Sequence, residues 1–344
     1  MLKVLYVYRF ATFGGVERVL LSRAEAFKQY GVHVRIFLYF FEDLGARHAI
    51  KEYIDTAELS EYVTLVKDIR AHEYDYVISI DTPEILKYKI DNSKLLFECH
   101  TTYARDRVYL SRLPGNIRLV VPSAAMKKDL EQEQPQLNGK IVVLRNYVAV
   151  DQADHDSAGI FWQKRPLLYL GRMDEHKNIR EALDVFESYR RHHGDDLMLI
   201  LAGMVTESID LHAELRQRHL LDRTVVFPPI RFDRVQQIYS LVKKHKGIFI
   251  SSSHGESFGL SVAEAMANGL PVLLSGIGAH ADLVQGNMDF LYPLGDPVAG
   301  AVKLEHIVCN YHEMQMKIEG LKGQFSMATF IEDWQRFTTL LPVG

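Results

Sequence analysis

Residues 247–272 read GIFISSSHGESFGLSVAEAMANGLPV. The run 247–251 is short and apolar, as a fully buried strand is. Ser252, Ser253, His254, Gly255 and Glu256 form a small polar loop. Ser257-Phe258-Gly259-Leu260 then opens a helix that extends to about Ala267. Asn268-Gly269 and Pro271 are the usual stop signals, and 272–274 reads as the next strand. Strand, loop, helix, strand is the repeating unit of an open parallel α/β sheet.

The helix start also carries chemistry. The amides of Phe258, Gly259 and Leu260 have no partner within the helix, so they point at an anion with a favourable dipole behind them. Glu264 falls about one turn further on, where a carboxylate accepts two hydrogen bonds from a vicinal diol. Glu256 points toward the same place. Such a set suits a nucleotide sugar: phosphate on the amides, ribose on one carboxylate, hexose hydroxyls near the other. An ordinary capped helix with a surface glutamate has the same spacing, so the stretch alone leaves both readings open.

The same alternation extends outward in both directions. Strands are expected at 167–171, 197–202 and 224–227, with helices at 179–192, 210–219 and 233–242. Further upstream, residues 2–8 read as a buried strand, 16–29 as an amphipathic helix stopped by Gly31, and 32–40 as the next strand. Runs at 76–80, 95–99, 119–122 and 141–144 continue that first sheet. Residues 149–163 are polar and poorly periodic, as a linker is. The expected architecture is two doubly wound α/β domains in tandem, 1–150 and 151–325. Helical patterns at 299–321 and 327–341 follow. The last one, with Trp334 and Phe337 at helical spacing, either caps its own domain or crosses back to the first.

Composition fits this picture. The chain has 344 residues, 47% hydrophobic and 24% charged, which is ordinary for a globular protein and long enough for two cores. A net charge of −4 argues against a nucleic-acid partner. Cys99 and Cys309 have neither disulfide-framework nor metal-ligand spacing; they read as buried reduced thiols and fit a cytoplasmic setting. MLKVLYVYRF reads as a strand rather than a signal peptide, and no stretch reaches the ~18 apolar residues of a membrane span. A peripheral membrane contact stays compatible with the sequence.

Four further features bear on function. Gly14-Gly15 follows the first strand and precedes a helix, where backbone approaches an anion closely; it lacks the three spaced glycines of a dinucleotide fingerprint. Gly171-Arg172-Met173-Asp174-Glu175-His176-Lys177 leaves the second domain's first strand, the end at which open α/β sheets bind ligands. There Arg172 offers a fork and Lys177 a point charge to a diphosphate. His100, in Glu98-Cys99-His100, stands at a strand exit of the first domain. Arg105, Arg107, Arg112 and Arg118, interleaved with Tyr103 and Tyr109, form either a grip for an acidic acceptor or lipid surface or a solvated charged face.

Taken in order, these features resemble family 4 of the retaining glycosyltransferases, the glycosyl transferases group 1 type, which has the GT-B fold: two Rossmann-like domains facing a central cleft, with a C-terminal helix (326–344) returning to the first. Glu256, Phe258-Gly259, Glu264-Ala265-Met266-Ala267, Gly269 and Pro271 look like the family's E-x7-E segment. Arg172 with Lys177 looks like its diphosphate pair, Gly14-Gly15-Val16-Glu17 like its glycine loop, and His100 falls where it often has an active-site histidine. The chain departs from the family pattern at Asn178, where glycine is usual, at Pro228-Pro229, and at Asp282 and Asp289.

The resemblance implies roles. Gly14, Gly15, Arg172, Lys177, Ser257 and the amides of Phe258, Gly259 and Leu260 would hold the diphosphate, Glu264 the ribose and Glu256 the donor sugar. His100 would serve the transferred sugar and acceptor, making His100, Arg172, Lys177 and Glu256 the catalytic set. The implied reaction is metal-independent front-face transfer of a hexose from a UDP-sugar, with no cofactor, to a hydroxyl of a glycan, lipid-linked sugar or metabolite. The first domain would bind that acceptor, in the cytoplasm or at the inner face of its membrane. A nucleotide-sugar epimerase and a catalytically silent sugar-nucleotide binder are the alternatives.

Overall fold

The structure is a computed structural model; it describes residues 1–12, 14–148, 150, 162–230 and 234–341. The chain divides into two compact units, 1–147 with 325–344, and 148–324.

Unit 1 is built on seven parallel strands. They are β1 (Leu2–Ala11), β2 (Val34–Asp43), β3 (Val63–Leu65), β4 (Tyr76–Ile80), β5 (Leu95–Glu98), β6 (Arg118–Val121) and β7 (Ile141–Val143), in the order β3-β2-β1-β4-β5-β6-β7. β4 and β5 are buried along their whole length, as strands covered on both faces are, whereas β2 alternates buried and half-buried residues. Helices α1 (Gly15–Tyr30), α2 (Arg47–Thr56) and α3 (Ala124–Glu133) make the connections.

Unit 2 repeats the plan with six parallel strands. β8 (Arg165–Leu170), β9 (Leu197–Ala202), β10 (Thr224–Phe227), β11 (Ile248–Ser251), β12 (Val272–Ser275) and β13 (Leu291–Tyr292) lie in the order β10-β9-β8-β11-β12-β13. This is the doubly wound order, and its reversal falls between β8 and β11. The helices are α4 (Ile179–His192), α5 (Leu211–Gln217), α6 (Val235–Lys244), α7 (Leu260–Ala267), α8 (Gly278–Leu283), α9 (Pro297–Cys309) and α10 (Tyr311–Leu321).

The final helix, α11 (Met327–Thr339), belongs to unit 1. Ser326 caps it, Oγ accepting from the Thr329 amide at 3.2 Å. Phe330, Ile331, Trp334 and Phe337 recur at helical spacing and are buried. Trp334 packs on Phe27 of α1 with ring centroids 4.8 Å apart. The Arg145 guanidinium grips Asp333 with two bonds, at 2.7 and 3.0 Å.

Some expectations are corrected. The single helix foreseen over 299–321 is two, α9 and α10, parted at Asn310, whose backbone (φ −109°, ψ 31°) is not helical. Cys99 is buried, but Cys309 is exposed, its thiol 3.2 Å from Glu305. The linker reading at 149–163 and the helix start at Asp233 fall largely outside the described residues. Among the described residues, no helix is long and apolar enough to cross a membrane.

Candidate active site

In unit 2 two loops leave the carboxyl ends of β8 and β11, on either side of the reversal in strand order, and are stitched together. Ser252 Oγ donates to the Asn178 carbonyl at 2.9 Å, and the His254 amide donates to the His176 carbonyl at 2.9 Å. Tyr169, at the end of β8, donates from its hydroxyl to the Arg172 carbonyl at 2.8 Å. Gly203 lets the neighbouring loop after β9 come in close: a Cβ there would lie 1.9 Å from the Gly171 carbonyl oxygen. Met173 bridges in parallel to Val205 beyond it.

Within this frame Asp174 organises the cations. Its Oδ1 accepts from the Lys177 amide at 2.7 Å, and its Oδ2 pairs with the Arg172 guanidinium at 3.2 Å. The Arg172 side chain remains 48% exposed. Lys177 Nζ reaches across to Glu256 Oε1 at 2.5 Å, and Ser253 Oγ donates to the same oxygen at 2.8 Å. Burial alone would raise the Glu256 carboxyl. The Lys177 charge, with His280 and these hydrogen bonds, outweighs that and holds it below the usual carboxylate range. Burial and the Lys177 cation both push the His176 imidazole down.

Asn178, which departs from the expected glycine, has left-handed backbone (φ 51°, ψ 50°) at the start of α4. Glycine takes that conformation without cost, and asparagine is among the few residues that tolerate it. Its Nδ2 donates to Glu181 Oε2 at 2.6 Å, which helps to hold the turn. Asp289, another departure, pairs with Lys317 at 2.7 Å.

The helix start is two residues later than expected. α7 begins at Leu260, and Gly259 is its N-cap with φ 88°, a left-handed conformation open to glycine. The leading amides are therefore those of Leu260 and the residues after it, with Ser257 and Phe258 in the turn before. Glu264 is buried on α7. Tyr239 Oη lies 3.1 Å from its Oε2 and 3.0 Å from the Ser261 carbonyl oxygen.

Sequence reasoning missed His280. It is fully buried on α8, with Nδ1 2.9 Å from the Ser275 carbonyl oxygen. A carbonyl only accepts, so Nδ1 carries the proton. Its Nε2 lies 3.3 Å from Ser251 Oγ, which is 3.4 Å from Ser253 Oγ, the hydroxyl that serves Glu256. Burial pushes the His280 imidazole down, against the opposing pull of Glu256. No signal in the sequence marks this histidine, since only the fold brings it beside β11.

In unit 1 the glycine loop is tied by a residue sequence reasoning gave no role. Glu17, buried in the first turn of α1, accepts from the Thr12 amide at 2.6 Å and the Gly14 amide at 3.0 Å. Gly14 is the N-cap of α1, and Gly15 is its first residue and exposed. His100 follows β5, its Nε2 2.7 Å from Glu98 Oε1. Asp81 Oδ2 accepts from the amides of His100 and Thr101, each at 2.9 Å. The arginine cluster divides: Arg107 is buried and bonded to Glu133 at 2.9 Å, whereas Arg105 is exposed. Among the described residues, no three His, Cys, Asp or Glu side chains are grouped to hold a metal ion.

Two doubly wound units in one chain, with cations and a carboxylate joined at the strand-order reversal of the second, define the GT-B class of fold. Solved structures agree. The Anabaena protein HepE, crystallised with UDP and glucose, superposes with a TM-score of 0.76 at 16% identity, covering 99% of both chains. Staphylococcus aureus TarM, crystallised with fondaparinux, α-GlcNAc-glycerol and UDP, gives 0.76 at 12% identity over 98% of this chain and 99% of that one. More particularly, residues 150–319 match the family model described as glycosyl transferases group 1. A sucrose synthase of Nitrosomonas europaea is 25% identical over 166 residues, 44% of this chain. The match spans 20% of that relative's length.

Proposed function

We propose that the chain is a retaining glycosyltransferase of family 4 that moves a hexose from a UDP-sugar to a hydroxyl of a glycan or lipid-linked acceptor. The observation that carries this reading is the Lys177–Glu256 pair beside Arg172, inside the group 1 domain and at the carboxyl ends of β8 and β11. Two cations there suit the diphosphate of a departing nucleotide, and a carboxylate held ionised suits the hydroxyls of the sugar.

In this reading the acceptor hydroxyl attacks the anomeric carbon on the face from which the diphosphate leaves. The new glycosidic bond forms as the bond to the diphosphate breaks, and the leaving phosphate oxygen takes the acceptor's proton. Arg172, Lys177 and the amides around Gly259 and Leu260 stabilise the charge that develops on the leaving group. Glu256 orients the donor sugar and Glu264 the ribose, while Ser257 shapes the phosphate site of unit 2, and the Gly14-Gly15 loop of unit 1 is suited to an anion. His100 serves the transferred sugar, and unit 1 supplies the acceptor's contacts. These cations do the work that a metal ion does in other phosphate-leaving reactions, so the reaction needs no cofactor. The setting is cytoplasmic, with the acceptor at the inner face of the membrane where it is lipid-linked. UDP in the HepE and TarM complexes favours a uridine donor.

A thermal-shift panel of UDP-, GDP-, ADP- and dTDP-sugars tests the donor class, because a ligand that binds only the folded state raises the apparent melting temperature. A UDP-sugar is expected to give the largest shift, and the same donor should then be consumed when acceptors are added. Absence of a shift with every donor would overturn the reading. Conversion of the donor to its epimer without acceptor would replace it with an epimerase.

A further inference from the structure

The end of β5 determines which nitrogen of His100 is left for a ligand. Glu98 closes the strand and His100 follows two residues later, so the pleat sends both side chains to one side of the sheet. The Arg23 guanidinium lies behind Glu98 and grips both its oxygens, at 2.9 Å to Oε2 and 2.6 Å to Oε1. Tyr6 Oη at 3.3 Å and Asn146 Oδ1 at 3.4 Å complete the arginine's surroundings. All of Arg23 and Glu98 is buried. Burial would raise the Glu98 carboxyl, yet the Arg23 charge, with the hydrogen bond to His100, holds it far below the usual range.

A carboxylate so held has no proton to give, so the 2.7 Å contact to His100 Nε2 needs its proton from the imidazole. A neutral imidazole carries one N–H; with that at Nε2, Nδ1 has a bare lone pair. Nδ1 has no hydrogen-bond partner among the described residues. The ring as a whole is 11% exposed. The backbone here is fixed as well, by the hydrogen bonds that the His100 and Thr101 amides donate to Asp81 Oδ2.

We propose that His100 presents Nδ1 to a hydroxyl of the sugar substrate as a hydrogen-bond acceptor, and that Glu98 and Arg23 are positioning residues that fix this tautomer. The identity of the ligand rests on the transferase reading above; the tautomer does not.

Two-bond proton–nitrogen correlation on the 15N-labelled full chain reads the tautomer, with His100 assigned by its loss in His100→Gln. The expected spectrum shows His100 protonated at Nε2, and Nδ1 protonation would overturn the proposal. Glu98→Gln, whose carboxamide also donates, is expected to mix in the other tautomer; if that variant does not fold, the wild-type spectrum decides. Kinetics supply a second arm. The amide of asparagine falls near Nδ1 and that of glutamine near Nε2, so His100→Asn should retain about tenfold more kcat/KM than His100→Gln, the equivalent of about 1.4 kcal/mol. Equal loss in both, or better activity in the glutamine variant, overturns the proposed contact. A wild-type chain that transfers from no donor would sink the transferase reading, and the ligand half of this proposal with it, while the spectrum would still report the tautomer.

Discussion

Lys177 and Glu256 close an ion pair, Nζ to Oε1 at 2.5 Å, between the loop after β8 and the loop after β11. Glu256 is 10% exposed and Lys177 25%, so each charge has given up much of its water and depends on the other. The same lysine is the proposed partner of a diphosphate. Glu256→Gln should free it, so UDP is expected to bind severalfold more tightly while sugar transfer falls. Calorimetric titration of UDP into both chains, beside a transfer assay, checks this. Weaker UDP binding by the variant would mean that the released lysine does not reach the diphosphate.

Arg172 differs because it is about half exposed, and its loss should leave the fold intact. Arg172→Ala is expected to lower turnover by about 2.7–4 kcal/mol, the cost of removing one group that stabilises transition-state charge. Its unfolding free energy should change by less than about 0.5 kcal/mol. Turnover close to wild type would remove Arg172 from the proposed mechanism.

Arg23 and Glu98 make the opposite case, a fully buried pair. Arg23→Met leaves an uncompensated carboxylate inside unit 1 and should cost about 3–5 kcal/mol of stability. Arg23→Met with Glu98→Leu should recover part of that loss, since no charge is then stranded. Denaturant unfolding of the three chains decides; a double variant less stable than the single one would show that the pair is not the source of the cost.

The return of α11 to unit 1 rests on Trp334, buried against Phe27 and Phe337. Trp334→Ala should destabilise the chain by about 3–5 kcal/mol through lost contacts and the cavity left behind. A denaturation midpoint unchanged from wild type would mean that the helix adds little to the unit it covers.

His280 predicts a pH dependence. Its folded value is lowered by burial, so in acid the unfolded chain takes up a proton that the folded site refuses. The neutral-histidine contribution is fully present above about pH 6.5, the ordinary imidazole value, and is lost as pH falls from there through the lowered folded value. His280→Asn retains a donor for the Ser275 carbonyl without a titrating ring, and its stability should fall less over that window. Identical pH profiles for the two chains would assign the acid sensitivity elsewhere, His176 being the other lowered imidazole among the described residues.

Much of the fold was legible because short apolar runs bounded by turn residues leave a clear trace. The runs at 76–80 and 224–227 coincide residue for residue with β4, which is wholly buried, and with β10, which is an edge strand left partly exposed. The trace failed where one apolar pattern covered two helices, at Asn310, and where glycine at 259 delayed to Leu260 a helix expected from Phe258. Residue types at the strand exits were legible too, but not their states. Glu264 is buried beside Tyr239, Arg107 is spent on Glu133, and Glu98 was passed over although it stands two residues from His100.

The sequence by itself determined two doubly wound α/β sheets and the kinds of charge at their ends, because periodicity follows from backbone geometry and burial within a few residues. Only the tertiary structure decided which charges meet. Lys177 finds Glu256 across 79 residues and Arg23 finds Glu98 across 75, because the strand order brings distant loops together. An ion pair depends on that separation in space, which no local pattern encodes.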